Sequence, residues 1–373
     1  MRKILITGAG GQFGKALQIG LSDKFNVLST FKKDSELENN RRNIQKLDVT
    51  NQDNTATLLA SFQPDIIINC AAYTDVDGSE LNKELAHQVN VEGLRNLIQL
   101  SEVNTHIIQI SSDYVFDGSN GPYNEEDHTF PVNYYGKTKL EAENVLRGTR
   151  RKWSIFRPNV LYSSDLFCKG NFFAWVYKSL LKKQPISVVA DQISNPTLSN
   201  HFVNAIFQAI IMDYEGILHI GSDDYISRYE FAIEIAKVFG FDLGLISKID
   251  TDSLSRKVNS YIAERPLHSG LLIGKLEKEL NLPQNVSAVK DSEGRIHSIW
   301  RPDNESLLSN HILKLKSLRK IPDRIQCHHA QPSSYALDLL IHKVLPCQIK
   351  QPYVIFLYHL KIIDGQPSLP RDQ

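Results

Sequence analysis

Tyr135, Lys139 and Ser112 carry the side chains that carbonyl reduction needs, at a spacing that lets them act together. Tyr135 and Lys139 stand four residues apart in Tyr135-Gly136-Lys137-Thr138-Lys139, which opens a predicted helix. At that spacing both side chains lie on one face, one turn from each other. An ammonium beside a phenol favours the phenolate, lowers the Tyr pKa and poises the phenol as a proton donor. Ser111 and Ser112 close an apolar run, His106-Ile107-Ile108-Gln109-Ile110, which reads as a strand. A hydroxyl at that strand end, set beside the phenol, holds a carbonyl oxygen while it is protonated. Tyr-x-x-x-Lys alone is a weak signal, because an exposed helix face with a snorkelling lysine is spelled the same way. The surrounding elements raise its weight.

Those elements begin at the first residues. Lys3 to Thr7 reads as a buried parallel strand, and Gly8, Gly11 and Gly14 follow at three-residue spacing into a helix. The first glycine permits the tight turn, the second lets backbone approach a pyrophosphate, and the third lets helix pack on sheet. The helix N-terminus then offers free N–H groups to the phosphates. A second strand is expected over Asn26 to Thr30. Where an acidic residue would bind a ribose 2′-hydroxyl, the chain has Phe31-Lys32-Lys33, which suits a 2′-phosphate, with Asp34 as an opposing charge. NADPH is therefore expected ahead of NADH. Asp48 is either an acceptor for an adenine amino group or a turn residue near a helix start at Thr50 and Asp53. Asp65 to Asn69 is a further buried strand. The small residues Cys70-Ala71-Ala72 after it leave room for a cofactor over the sheet edge, or reflect close helix packing.

With these residues assembled, the chain resembles the extended short-chain dehydrogenase/reductase family over roughly residues 1 to 282. The resemblance rests on Gly8 to Gly14, Asn69 to Asp77, Val89 to Gly93, Ser111 to Gly118, Tyr135 to Lys139, Asp191 to Thr197 and Arg265 to Ser269. It implies a Rossmann-type doubly wound parallel α/β sheet with a smaller α/β substrate lobe. Tyr135 would be the general acid, Lys139 would bind the nicotinamide ribose and lower the Tyr pKa, and Ser112 would stand at the family's Ser/Thr position. Gly8, Gly11 and Gly14, with Gln12 and Phe13 between them, would bind pyrophosphate. Asp48 and Val49 would lie near adenine, and Ala71, Ala72 and Tyr73 would border the cofactor. The segment from Gln192 to Thr197 would shape the nucleotide-sugar side. Asp113 is a substrate contact or a structural carboxylate, Asn171 a substrate contact or an N-cap, and Arg265 a phosphate partner or a surface ion pair.

Nucleotide-sugar dehydratases of similar build carry an Asp-Glu pair after the Ser/Thr. Here Asp113 is followed by Tyr114, so the second carboxylate for eliminating water is missing. The resemblance thus implies NADPH-dependent reduction of the C4 ketone of a nucleotide-activated 4-keto-6-deoxysugar, a dTDP sugar first, for cell-surface polysaccharides such as O-antigen. The alternatives are a non-catalytic regulatory subunit of the same build, or a GDP- or UDP-sugar reductase or reductase–epimerase. The resemblance also implies homodimers, some with Mg²⁺ at an interface, through contacts late in the chain, where this sequence departs from the pattern.

Bulk properties bound the rest. At 373 residues the chain is long enough for more than one unit. The expected division is 1–160 for the nucleotide half (with later segments returning to it), 161–282 mainly for a substrate lobe, and 283–373 for a C-terminal extension of unassigned role. A formal net charge of zero leaves no footprint for nucleic acid or an anionic membrane. Four widely spaced cysteines fit a reducing compartment and no zinc site. No apolar run approaches the ~18 residues of a membrane span, so the cytoplasm is the expected location. Ser154 to Leu161 reads as a core strand and its exit, and Asn171 to Lys183 as a helix with a core face. Ser227-Arg228-Tyr229-Glu230 reads as a capping box with a structural role. Beyond 282, His297, His311, His328, His329, His342 and His359 match no metal spacing. A helix over Tyr335 to Leu345 and a strand over Tyr353 to Ile363 are expected there.

Overall fold

Strand β1 (Lys3–Thr7) shows why the central sheet is covered on both faces. Ile4 and Ile6 enter one core and Leu5 the other, and all three are fully buried. The nucleotide half continues through α1 (Gln12–Leu21), β2 (Asn26–Phe31), β3 (Ile44–Lys46), α2 (Gln52–Phe62), β4 (Ile66–Asn69), α3 (Val76–Leu81), α4 (Lys83–His87), α5 (Gly93–Leu100), β5 (His106–Ile110), α6 (Tyr134–Arg147) and β6 (Trp153–Pro158). Next come β7 (Leu161–Tyr162), α7 (Phe172–Leu181), β8 (Ile186–Val189), β9 (Ile193–Ser194), β10 (Thr197–Leu198), α8 (Ser199–Ile211) and β11 (Gly216–Ile220). The last described elements are β12 (Ile226–Ser227), α9 (Arg228–Phe239), β13 (Ile246–Ile249), α10 (Thr251–Lys257), α11 (Gly274–Glu279) and the antiparallel pair β14 (Val286–Lys290) and β15 (Ile296–Trp300). This computed structural model describes residues 1–32, 43–163, 165–168, 170–257 and 263–280, with the backbone of the last two strands. Of the two units into which the chain divides, 1–306 and 307–373, all these residues belong to the first. Lys33 lies outside the described residues, as do the helix and strand expected over 335–345 and 353–363.

Seven strands form one parallel sheet in the order β11-β6-β5-β4-β1-β2-β3. It is a Rossmann-type doubly wound sheet. The winding direction reverses between β1 and β4, which opens a crevice beyond their carboxyl ends. On one face α1 and α8 pack through Phe13, Leu17, Phe202 and Ile206, with Phe13 and Phe202 stacked at 4.0 Å between ring centroids. On the other face α2, α5 and α6 supply Leu58, Leu97, Ala142 and Leu146. The cap of α2 differs from expectation. Asn51, not Thr50 or Asp53, holds the N-cap, and its side chain accepts from the Asn54 amide. Asp48 instead takes the Thr50 amide and hydroxyl, which ends the preceding turn.

Outside the large sheet, β8 pairs with β13 in parallel and β9 with β12 antiparallel. Helices α7 and α9 meet there through Phe173, Tyr177 and Phe239. The Ser227 capping box is complete, with its hydroxyl accepting from Glu230 N and the Glu230 carboxylate from Ser227 N.

Gly8 is where β1 meets this architecture most tightly. Its φ is +62°, and a Cβ there would lie 2.7 Å from the Ala71 backbone. Gly8→Ala is expected to cost about 2 kcal/mol or more, from the left-handed backbone and the clash together. A thermal or urea melt that leaves the variant as stable as the parent would contradict this account of the turn.

Candidate active site

The carboxyl ends of β1, β4 and β5 bring the predicted chemistry together. After β1, Gly11 is the N-cap of α1 and offers no side chain, so the first amides of the helix face outward unpaired by a cap. Gln12 follows with a buried side-chain Nε2 that has no hydrogen-bond partner. An orphaned donor at a glycine-lined helix start fits a pyrophosphate. Phe13 turns its ring into the core, so only its backbone is available to a ligand. After β4, Ala71 N donates to the Thr7 hydroxyl and Tyr73 N to Asn90 Oδ1. Asn90 Nδ2 in turn donates to Tyr73 O and to the Thr138 hydroxyl beside Lys139, at 2.8 Å. Asn90 sits in a single π-helical turn, Gln88–Glu92, between α4 and α5. Its motif was visible in the sequence, but its role as a clasp between the β4 exit and α6 was not.

After β5, Ser112 caps a short 3₁₀ turn over Asp113–Val115. Its hydroxyl accepts from Tyr114 N at 3.1 Å and donates to Asp113 Oδ1 at 2.9 Å. Asn133 caps helix α6, its side chain accepting from Gly136 N and donating to Glu264 O. Tyr135 lies in the first turn of that helix, within hydrogen-bonding reach of Ser112. Lys139, one turn on, is buried and donates to the Ile110 carbonyl at 2.6 Å.

The electrostatics differ from the expectation in one respect. Burial and the Asp113 charge push the Tyr135 phenol above its usual range, with the Ser112 hydrogen bond pulling the other way. Lys139 is not the controlling charge, because its ammonium turns to the Ile110 carbonyl. Burial also brings Lys139 down to about 8, although the Glu143 charge opposes this. Asp113 is raised to about 6 by burial, against the Ser269 and Ser112 hydroxyls.

A cleft of about 700 Å³ opens beside this cluster, lined by Tyr114, Asn171, Phe172, Gln192, Arg228 and Arg265 among others. Tyr114 joins it to the cluster, its ring edge-on to Tyr135 at 5.7 Å.

The model of a family described as the RmlD substrate binding domain matches residues 1–292. The chain belongs to this family. It is 34% identical over 298 residues to a dTDP-4-dehydrorhamnose reductase of Aggregatibacter actinomycetemcomitans, a match covering 76% of this chain and 94% of the relative. A solved dTDP-4-dehydrorhamnose reductase from Bacillus anthracis str. Ames, in complex with NADP, is 29% identical with a TM-score of 0.65, over 75% of this chain and 98% of that one. The methionine adenosyltransferase 2 subunit beta of Bos taurus is 27% identical over 68% of this chain and 76% of its own. The family match stops at residue 292, so nearly all of the C-terminal extension falls outside it. Like its reductase relatives, this RmlD-family chain is an NAD(P)H-dependent oxidoreductase.

Several predicted positions of this RmlD-family chain are already engaged within the fold. Lys32 pairs with Asp48 at 2.9 Å. Burial would raise Asp48, but Lys32 and Thr50 prevail and hold it below the usual carboxylate range. Val49 is buried, and its methyl lies where a Cβ on Gly93 would stand. Arg265 donates to Asp77 Oδ1 at 2.9 Å and to Ala263 O, so the ion-pair alternative is realised within the cleft wall. Asn171 holds the N-cap position of α7 without capping it. Its Nδ2 donates to Ser163 O and Asp165 O, and its buried Oδ1 has no partner. Gln192 lines the cleft and donates to the Thr251 hydroxyl.

Arg228 is the cleft residue whose position the sequence concealed, because a capping box accounted for its neighbours. Its guanidinium lies 5.3 Å from the Phe172 ring centroid and makes no ion pair among the described residues.

Asp113 gives a pH test of the site as folded. Its pKa of about 6 lies above the 3.8 of an ordinary Asp, so its charge opposes folding above pH 6 and ceases to do so as pH falls towards 4. Asp113→Asn is expected to stabilise the protein by about 3 kcal/mol near pH 8 and by almost nothing near pH 4. Equal melting shifts at both pH values would contradict the buried-charge account.

Proposed function

We propose that the chain reduces the C4 ketone of a nucleotide-linked 4-keto-6-deoxysugar, with dTDP-4-dehydrorhamnose as the substrate and NADPH as the reductant. The observation that carries this is the meeting of Ser112, Tyr135 and Lys139 at the β5 end, joined through Tyr114 to a cleft of nucleotide-sugar size. The dTDP-4-dehydrorhamnose reductase relatives, one of them solved with NADP, support the substrate and the cofactor.

Bound NADPH supplies the hydride. Gly8, Gly11, Gln12 and Gly14 hold its pyrophosphate, with Ala71, Ala72 and Tyr73 along its edge. Lys32 serves a 2′-phosphate by exchanging its partner Asp48. Tyr135 keeps its proton near neutrality because burial and Asp113 disfavour the phenolate, and it gives that proton to the ketone oxygen. Ser112 orients the phenol, and supports the phenolate that forms by turning its one hydroxyl hydrogen to it from Asp113. The Lys139 ammonium holds the nicotinamide ribose and favours the same charge.

For the substrate diphosphate we assign Arg228 ahead of Arg265, since Arg265 is already neutralised by Asp77. Asn171 offers its free Oδ1 to a sugar hydroxyl. The reaction belongs to cell-surface polysaccharide synthesis in the cytoplasm. Among the described residues no helix is long and apolar enough to cross a membrane.

NADPH oxidation followed at 340 nm with dTDP-4-dehydrorhamnose tests the proposal. Tyr135→Phe is expected to lower kcat by at least about a thousandfold while NADPH still binds, in line with the loss of a general acid. Normal turnover by that variant would overturn the mechanism. No turnover by the parent, despite tight NADPH binding, would turn the assignment towards a non-catalytic subunit. Arg228→Met is expected to raise KM for the nucleotide sugar about tenfold or more, the worth of one charge-assisted hydrogen bond. A KM unchanged from the parent would remove Arg228 from the substrate site.

A further inference from the structure

Tyr135, Lys139 and Glu143 recur every fourth residue along α6 and so form one stripe. Consecutive residues leaving β5 meet that stripe one by one. Lys139 donates to the Ile110 carbonyl, the Ser111 hydroxyl donates to Glu143 Oε1, and Ser112 reaches the Tyr135 phenol. Two of these rungs belong to the proposed chemistry. The third, Glu143, takes no part in it.

Glu143 is fully buried and its carboxylate is held by three donors. Arg157 Nε donates to Oε1 at 2.9 Å and Arg157 Nη2 to Oε2 at 2.7 Å, while Ser111 completes the set. Arg157, itself 1% exposed, lies with its guanidinium 5.2 Å from the Phe116 ring centroid and within 3.3 Å of His219 Nε2. The Ser111 amide donates to Phe156 O, so β5 and β6 are in register where this network crosses them.

We infer that Glu143 is a positioning residue of the reductase site: its buried carboxylate keeps Lys139 an ammonium, and Arg157 and Ser111 hold that carboxylate in place. This rests on the reductase assignment above. A buried lysine bonded only to a backbone carbonyl loses its proton readily unless an anion lies close. The charged or titratable groups around Lys139 are few. Glu143 faces it along α6, and Cys70 faces it from the β4 exit, neutral because burial pushes its thiol up to about 12. Arg157 of β6 stands behind Glu143. His219 of β11 stands behind Arg157, kept neutral by burial and the Arg157 charge, which bring it down to about 3. Asp113 acts on Tyr135. Glu143 is thus the anion that sustains the Lys139 charge.

The test is equilibrium NADPH binding by the full chain from pH 6 to 9.5, with turnover measured alongside. In the parent, affinity falls above pH about 8 as Lys139 loses its proton. In Glu143→Gln that alkaline limb moves down by about one pH unit, as removal of one nearby opposite charge requires. Glu143→Asp, which keeps the charge, retains the parental limb. Because Glu143→Gln strands the Arg157 guanidinium, the paired variant Glu143→Gln/Arg157→Met removes both charges; its limb moves down in the same direction but less far, since loss of the more distant cation offsets part of the loss of the anion. A purely structural ion pair would lower stability in these variants and leave the limb unmoved, and that result overturns the inference. A parent without an alkaline limb overturns it too. A parent that binds NADPH with the expected limb but does not turn over the dTDP sugar refutes the reductase assignment, while the limb still decides the role of Glu143.

Discussion

The buried ion pair between Arg157 and Glu143 is the constraint on which the geometry of the site depends. Two opposite charges taken fully out of water are tolerated only when both are saturated with hydrogen bonds. That requirement ties α6, β5 and β6 to one another through Glu143, Ser111 and Arg157. The ring of Phe116, stacked on Tyr123 at 4.3 Å, covers the guanidinium and brings the loop after Ser112 into the same cluster. A pair of this kind adds little net stability compared with apolar packing, but it admits few alternative arrangements. Specification of one geometry is what a proton donor needs, since a shift of about an ångström between phenol and substrate removes much of the catalytic advantage.

The crevice at the sheet's switch point follows from a second constraint, the close approach of backbone to backbone. Gly8 lies against Ala71, and Gly14 against Ala9, at distances no side chain permits. The loop is thereby flattened onto the β4 exit, which keeps the region over the sheet edge clear. Asn90 then links that exit to α6 at Thr138. The elements that would hold a dinucleotide and those that would protonate a ketone are therefore one connected structure.

Much of this was legible in the chain. The alternation of Ile4, Leu5 and Ile6, the glycine spacing, the Tyr135–Lys139 register and the Ser227 capping box are local patterns, and local patterns survive folding. The features that the chain left open, concealed or misstated all depend on what lies opposite a residue in space. Lys139 was expected to control the Tyr135 pKa from its spacing alone, yet burial and Asp113 dominate it. Arg265 was the visible candidate for a phosphate, but Asp77, almost two hundred residues away, already pairs with it. Arg228 was hidden inside a helix-start motif. Asn171 has the position of an N-cap and none of its bonding.

The sequence by itself determined the class of fold, the main strands and helices of the nucleotide half that lead to the site, and the catalytic candidates, because hydrophobic period, glycine spacing and helical register are properties of neighbours along the chain. Only the tertiary structure decided which charges are already paired, as Arg265 is with Asp77 and Arg157 with Glu143, and which cleft cation is left without such a partner among the described residues. Charge interactions inside a protein depend on burial and on distance through space, and neither is written in the spacing of residues along the chain.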